Sequence, residues 1–335
     1  MVLKFLLERK KYNFLWYDKL EVNMGNCSKE YSWGIVEKFW KREWEKIKQI
    51  DFPRTREFDI TDVECSNELR NLRDGVRSNK AQSKTIIKCH PSMRYANRKG
   101  CLSPYDYWQL LKEDSELFKK FYENRLRCSD WFNEKQGKNF HYLSEGYVPE
   151  FIYGIGLSTS RKAPLVSYFK PSLAKNLILK YLNDFDTIYD PCSGYSGRLI
   201  GALCAGKNFV GSDINDVTIS ESVSLYEYIK PLFPKLSCDL FVEDIFKNSG
   251  KAPCILTCTP YADIEEWVGS NGNKITSKYD CDAWIDIIME RFDCERYVFV
   301  TDGNILKWKS YVVEVLENTS HFGKNNEFVV MVDRT

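Results

Sequence analysis

The chain has 335 residues, 43% hydrophobic and 28% charged, with a net charge of +1, values ordinary for a globular protein of about two domains. No apolar run nears the roughly 20 residues that cross a bilayer. The N-terminal "MVLKFLLERKKYNFLW" reaches a charged cluster early, with no small-residue cleavage site after it, so an export signal is not expected. Twelve cysteines form no C-x-x-C pair and only three histidines (His90, His141, His321) accompany them. That pattern argues against a metal site and for reduced thiols used as small core residues in a cytoplasmic protein.

The near-zero net charge hides a division. Residues 1–150 carry 29 Lys and Arg against 23 Asp and Glu, whereas 151–335 carry 19 against 24. In chain order, "YSWGIVEKFWKREWEKIKQI" repeats Ile35, Phe39, Trp40, Trp44 and Ile47 at helical spacing and predicts an amphipathic helix. The next stretch, "RDGVRSNKAQSKTIIKCHPSMRYANRKG", has weak periodicity and turn formers, which predicts a loop or irregular region. Within or beside it fall nine basic residues, Arg70, Arg73, Arg77, Lys80, Lys84, Lys88, Arg94, Arg98 and Lys99, against a single acid, Asp74. Such a stretch suits a polyanion, because each cation near a phosphate releases condensed counterions; a solvated helix face is the alternative. "SPYDYWQLLKEDSELFKKFYENRLR" then predicts one long helix, with Ser103 as N-cap, Pro104 first in the helix and Asp106 in the capping-box position.

Beyond about residue 165, short β-rich runs alternate with helical stretches: "DTIYD", "NFVGSDI", "DLFVED", "CILTC" and "RYVFVTD". The alternation predicts an α/β domain with a mainly parallel sheet. In "TSHFGKNNEFVVMVDR", a turn at "GKNN" between two strand-like runs predicts a closing antiparallel hairpin. The chain therefore divides into a helical, basic region 1–150 and an α/β domain 151–335.

Ligands of an open parallel sheet sit at the carboxyl ends of its strands, where "DPCSGYSGR" falls. Gly194 and Gly197 allow tight turns and close approach, and Asp213, ending the next strand, suits two ribose hydroxyls. The loop is neither G-x-G-x-x-G nor a P-loop. Its leading Asp190 disfavours a pyrophosphate and suits a cationic cofactor group.

"DPCSGYSGRLIGAL" followed by "GSDIN", "TCTPYADIEEW" and the upstream "SYFKPSLAKNLILKYL" resemble the motifs of S-adenosylmethionine-dependent DNA amino-methyltransferases, in particular a branch written T-[CS]-P-P-Y. The resemblance spans residues 158–333 and implies a Rossmann-like methyltransferase sheet, mainly parallel with a C-terminal antiparallel hairpin, preceded by a mostly helical region. It implies that Phe169, Lys170 and Pro171 flank the methionine moiety, while Asp190 and the backbone of Cys192, Ser193 and Gly194 hold its amino and carboxyl groups. Asp213 would take the ribose, Ile214 the adenine face and Asp244 the adenine amine, with Ile245 or Phe246 nearby. Cys258, Thr259 and Pro260 would hold the acceptor amine, and Tyr261 would stack on a flipped base.

Two residues depart from the pattern. Cys258 stands where Asp, Asn or Ser is usual, and a thiol is a weak acceptor. Thr259 stands where the first Pro is usual, which adds an N–H and frees the backbone. Cys258 as a nucleophile is disfavoured, because no basic neighbour in sequence lowers its pKa. The expected activity is methyl transfer to an exocyclic amine of adenine or cytosine in DNA, with the basic region contacting the DNA. A non-catalytic nucleic-acid-binding protein and an RNA methyltransferase are the alternatives.

Overall fold

The amphipathic pattern at the start of the chain forms α1 (Lys29–Ile47), which buries Val36, Trp40 and Ile47. The computed structural model describes residues 29–53, 60–75, 83–98, 100–135, 148, 150–158, 160, 162–163, 166–260, 265–268, 274–275, 279–301, 305–316 and 326–334. Next comes α2 (Asp62–Asp74), a helix the sequence reading did not anticipate. Thr61 and Glu64 cap it reciprocally: Thr61 Oγ1 accepts from Glu64 N at 3.2 Å, and Glu64 Oε2 accepts from Thr61 N at 3.0 Å.

The stretch expected to be irregular contains α3 (Lys84–Cys89), capped by Ser83, and the two-residue strand β1 (Asn97–Arg98). Ser103 and Pro104 start α4 (Pro104–Glu113) as expected, with Ser103 Oγ accepting from Asp106 N at 3.0 Å. The single long helix predicted here is in fact two. Asp114 leaves helical geometry (φ −107°, ψ 99°), and its carboxylate accepts from Leu117 N at 2.9 Å, which opens α5 (Ser115–Lys135). With α6 (Glu150–Ser158), these helices and α1 enclose a core of Trp108, Leu111, Phe118, Tyr122 and Tyr153. The indoles of Trp44 and Trp108 donate to Leu111 O and Ile50 O, both at 3.1 Å, so the aromatic bulk is buried without an unmet polar cost from these two rings.

The second half alternates strand and helix: α7 (Pro171–Tyr181), β2 (Thr187–Asp190), α8 (Gly197–Cys204), β3 (Asn208–Asp213), α9 (Asp216–Ile229), β4 (Cys238–Val242), β5 (Gly250–Lys251) and β6 (Cys254–Cys258). There follow β7 (Glu265–Val268), β8 (Lys274–Ile275), α10 (Cys281–Arg291), β9 (Phe292–Asp293), β10 (Arg296–Thr301), β11 (Val312–Leu316) and β12 (Glu327–Asp333). Seven strands form one sheet in the order β11-β12-β10-β6-β2-β3-β4. Neighbours from β10 to β4 are parallel, and β12 runs antiparallel to both β10 and β11. This is the mainly parallel, Rossmann-like sheet with a C-terminal antiparallel hairpin expected from the sequence, with strand order reversing between β2 and β6.

The expected closing antiparallel hairpin is present. Its first arm is Val312–Leu316, upstream of "TSHF", with Leu316 opposite Glu327. Residues 317–325, including most of the expected turn, lie outside the described residues.

The composition break near residue 150 is not where the cores part. Leu69, Leu72, Ile86, Met93 and Ala96 share a core with Leu173, Leu199 and Val298 of the sheet domain. Lys175 of α7 reinforces this join. Its buried Nζ donates to Leu72 O at 2.6 Å, Arg73 O at 2.8 Å and Gly75 O at 3.1 Å, satisfying the last carbonyls of α2. Lys175→Met leaves those carbonyls unpaired. It is expected to lower unfolding free energy by about 2–4 kcal/mol in urea titrations, and an unchanged denaturation midpoint would contradict this role.

No helix among the described residues is long and apolar enough to cross a membrane, and no group of His, Cys, Asp and Glu among them could hold a metal ion.

Candidate functional site

Strand β2 delivers Asp190 to the switch point of the sheet, where it is 0% exposed. Its carboxylate organises everything around it. Oδ2 accepts from Arg198 Nε at 2.6 Å, and Oδ1 accepts from Thr257 Oγ1 at 2.8 Å and from Cys192 N at 3.2 Å. Arg198 also donates to Cys192 O and lies 5.0 Å from the centre of the Phe169 ring. The sequence reading placed Asp190 against a cationic cofactor group; in the fold, Arg198 already supplies the countercharge. Asp190 thus builds the loop and ties it to β6 through Thr257.

Arg198 was missed in the sequence. The available signal was one charged residue inside the apolar helix "GRLIGALC", which is buried throughout.

Two glycines in the loop have different physical reasons. Gly194 takes φ +52°, and a side chain there would meet nothing nearer than Cys192 O at 4.0 Å, so the turn is conformational and its surroundings are open. Gly197 permits contact: an added Cβ would fall 1.7 Å from Phe169 O. The upstream segment and the start of α8 therefore touch backbone to backbone. Pro171 is buried in the first turn of α7.

Asp213, ending β3, binds the loop from the other side. Its Oδ2 accepts from Gly194 N and its Oδ1 from Asn215 N, each at 2.9 Å. Desolvation pushes the Asp213 carboxyl above its ordinary range against the pull of these two N–H groups. Beside it Ile214 is 49% exposed, an apolar face turned outward at a strand end. Glu243 N donates to Asp213 O at 3.0 Å, which brings the end of β4 and Asp244 alongside. Asp244 accepts from Phe246 N at 3.0 Å and lies 3.3 Å from Lys247 Nζ. Ile245 is buried in the core under α10, and the Phe246 ring centre lies 5.2 Å from Tyr279 and 5.5 Å from Trp284.

Ser193 is 3% exposed, and its Oγ is a buried hydroxyl without a hydrogen-bond partner among the described residues. A buried unpaired hydroxyl costs free energy, so this atom in an open glycine loop points to a polar ligand. Cys192 is a poor nucleophile, because burial pushes its thiol well above the ordinary value.

At the end of β6, Cys258 is half-buried, with Sγ 3.8 Å from Thr259 O. The replacement of proline by Thr259 is accommodated. Its extra N–H donates to Val300 O at 3.2 Å, continuing the β6–β10 ladder, and its hydroxyl lies 3.4 Å from Cys281 Sγ. Thr259 is buried, so the backbone freedom expected from losing proline is restrained by the sheet and α10. Pro260 follows, half-buried. Tyr261 lies outside the described residues.

The basic stretch is less exposed as net charge than its sequence implies. Lys84 Nζ donates to Glu64 Oε1 at 2.7 Å, Lys88 pairs with Asp62, and Arg73 Nε donates to Asp74 Oδ1 at 2.7 Å. The Lys84 ammonium, with Thr61, holds the Glu64 carboxyl down to about 2, and Lys88, with Tyr228, lowers Asp62. Both carboxyls are depressed, so what these pairs contribute is present at neutral pH and is lost as pH falls through their folded values. Arg94 Nε donates to Pro91 O at 3.0 Å and its guanidinium stands over Phe52. Arg70 is exposed and Arg98 sits on β1. Arg77, Lys80 and Lys99 lie outside the described residues.

No family model matches the chain, and no curated protein matches it. Among solved structures it is similar to magnesium protoporphyrin IX methyltransferase from Synechocystis PCC 6803 with bound SAM, at 11% identity over 49% of this chain and 79% of that one, TM-score 0.37. It is similar to the 23S rRNA methyltransferase ErmE at 12% identity over 49% and 67%, TM-score 0.35. A SAM-dependent methyltransferase from Agrobacterium tumefaciens is similar at 12% identity over 52% and 66%, TM-score 0.35. These likenesses are weak, and the fold class stands on the strand order and register themselves.

Proposed function

We propose that the chain transfers a methyl group from S-adenosylmethionine to an exocyclic amine of adenine or cytosine in DNA. The observation that supports this best is the shared carboxylate of Asp190, which joins the glycine loop at Cys192 and Arg198 to Thr257, directly before Cys258 and Thr259. A cofactor loop and an acceptor loop built on one buried group are held in fixed relation, which a transfer between two ligands requires.

The residues fit the cofactor. Ser193 Oγ and the loop backbone would meet its amino-acid end beside Phe169 and Pro171, Asp213 its ribose, and Ile214, Asp244 and Ile245 its adenine. When bound, it supplies an electrophilic methyl group on a cationic sulfur. The chain's own task is to present an amine whose lone pair is delocalised into the base ring. Cys258 Sγ and a backbone carbonyl of the Cys258–Thr259–Pro260 segment would accept the amine hydrogens. The thiol is the weaker acceptor of the two, so the carbonyl carries more of the orientation. Tyr261 would stack on the flipped base.

Region 1–150 would contact DNA through the basic stretch from Arg70 to Lys99. The pairs at Lys84 and Lys88 are surface pairs, weakened by solvent and salt, which a phosphate can replace.

The direct test incubates the chain with cofactor labelled in the methyl group and DNA or RNA, then identifies the labelled nucleoside. Label on adenine or cytosine amines of DNA is expected. Label on RNA alone, or on neither, would overturn the reading. Asp213→Ala removes two charge-assisted acceptors, and cofactor affinity is expected to fall on the order of 100-fold by calorimetry. Tyr261→Ala is expected to cut transfer to DNA by about 100-fold, through lost base stacking, while leaving cofactor affinity intact. Undiminished transfer would mean that the acceptor loop lies elsewhere.

A further inference from the structure

Among the described residues, Ser196 is the only non-glycine residue with positive φ (φ 62°, ψ 11°). It follows Gly194 in the glycine loop and precedes the first residue of α8. Left-handed geometry is unfavourable for a side chain with Cβ and persists where the surroundings impose it. Serine is also a favoured N-cap, yet this one makes no capping hydrogen bond to its own helix.

Its hydroxyl points sideways instead. Ser196 Oγ lies 3.0 Å from His90 Nε2 and 2.6 Å from Ser222 Oγ. His90 Nδ1 lies 3.1 Å from Glu221 Oε2, and that carboxylate accepts from Ser92 N at 2.9 Å and from Ser92 Oγ at 2.5 Å. The His90 ring meets Tyr195 edge-on, with centroids 5.5 Å apart, and is 1% exposed. The imidazole thus bridges α9, the glycine loop and the end of α3, and both ring nitrogens are used within 3.1 Å.

We infer that His90 is a positioning residue for the cofactor loop: it holds Ser196 in the left-handed conformation and so fixes the turn from Gly194 to Gly197. This rests on the reading of that loop as the cofactor site. It makes the segment 83–94, which sequence composition assigns to recognition, a working part of cofactor binding.

The test is a two-by-two comparison of His90→Asn and Ser196→Gly in the full chain. S-adenosylhomocysteine is the calorimetric probe, and amide hydrogen exchange of residues 193–199 is followed in the ligand-free protein. His90→Asn alone is expected to weaken probe binding about tenfold and to speed exchange in the loop. Glycine adopts the left-handed turn without help. In the Ser196→Gly background, His90→Asn should therefore change affinity by less than about twofold. A loss of equal size in both backgrounds, or loop exchange that His90→Asn leaves unchanged, overturns the inference. Glu221→Gln keeps the imidazole but loosens its anchor, and should show the same dependence on background at smaller amplitude if His90→Asn does not fold. A parent chain that binds no probe would overturn the functional reading, while loop exchange in the ligand-free protein would still decide the role of His90.

Discussion

Arg198→Ala is expected to lower the unfolding free energy by about 3–5 kcal/mol, the cost of stripping a buried carboxylate of its paired cation. Asp190 is fully buried, and Arg198, with Nε at 2.6 Å, is its only full charge partner among the described residues. Thr257 and Cys192 N would remain, but neutral donors do not replace a guanidinium. The double variant Asp190→Asn with Arg198→Met removes both charges and should recover much of the lost stability. Guanidinium titrations of the two variants decide the matter. If Arg198→Ala costs less than about 1 kcal/mol, the range of a surface pair, the pair does not organise the loop. The double variant should still bind cofactor poorly, because Arg198 also holds Cys192 O.

Gly197→Ala should be nearly as severe, by a different mechanism. The new Cβ would sit 1.7 Å from Phe169 O and 2.7 Å from Phe169 C, atoms of the backbone that cannot swing away. Overpacking of this kind costs about 3 kcal/mol. Here it also pushes Phe169 from the loop, so cofactor binding should fall together with the melting temperature. Gly250→Ala is the matched control, since nothing lies within 4 Å of its added Cβ. Equal melting temperatures for the two variants would show that α7 and α8 do not need this contact.

The sheet was legible because each of its parallel strands is a short β-rich run bounded by turn formers, as in "DTIYD" and "CILTC". The glycine loop was legible for the same reason: it directly follows a strand and precedes a helix. Less of the helical region could be read. A capping box stands at Thr61–Glu64, but α2 is mostly polar, and its buried Leu69 and Leu72 show their purpose only against the sheet domain. Asp114 reads as one more charge on a helix face until its carboxylate is seen capping α5. The partners of the basic stretch lie upstream: Asp62 and Glu64 reach Lys88 and Lys84 only once α2 and α3 are packed together. His90 carries no local signal of its role, because Glu221 and Ser196 meet it through the tertiary fold, and Arg198 shows only as a lone charge in an apolar helix whose partner, Asp190, the fold supplies.

One strand pairing bears on when the site assembles. Asn97 and Arg98 of β1 pair antiparallel with Glu266 and Glu265, the first residues of the ribbon beyond Tyr261. Closing so long a loop costs chain entropy before any contact repays it, and non-local pairings of this kind form slowly. The β1–β7–β8 ribbon is therefore expected to be completed late in folding, after the parallel strands have collapsed around Asp190. A ribosome-bound chain would carry a finished glycine loop before it carries this ribbon.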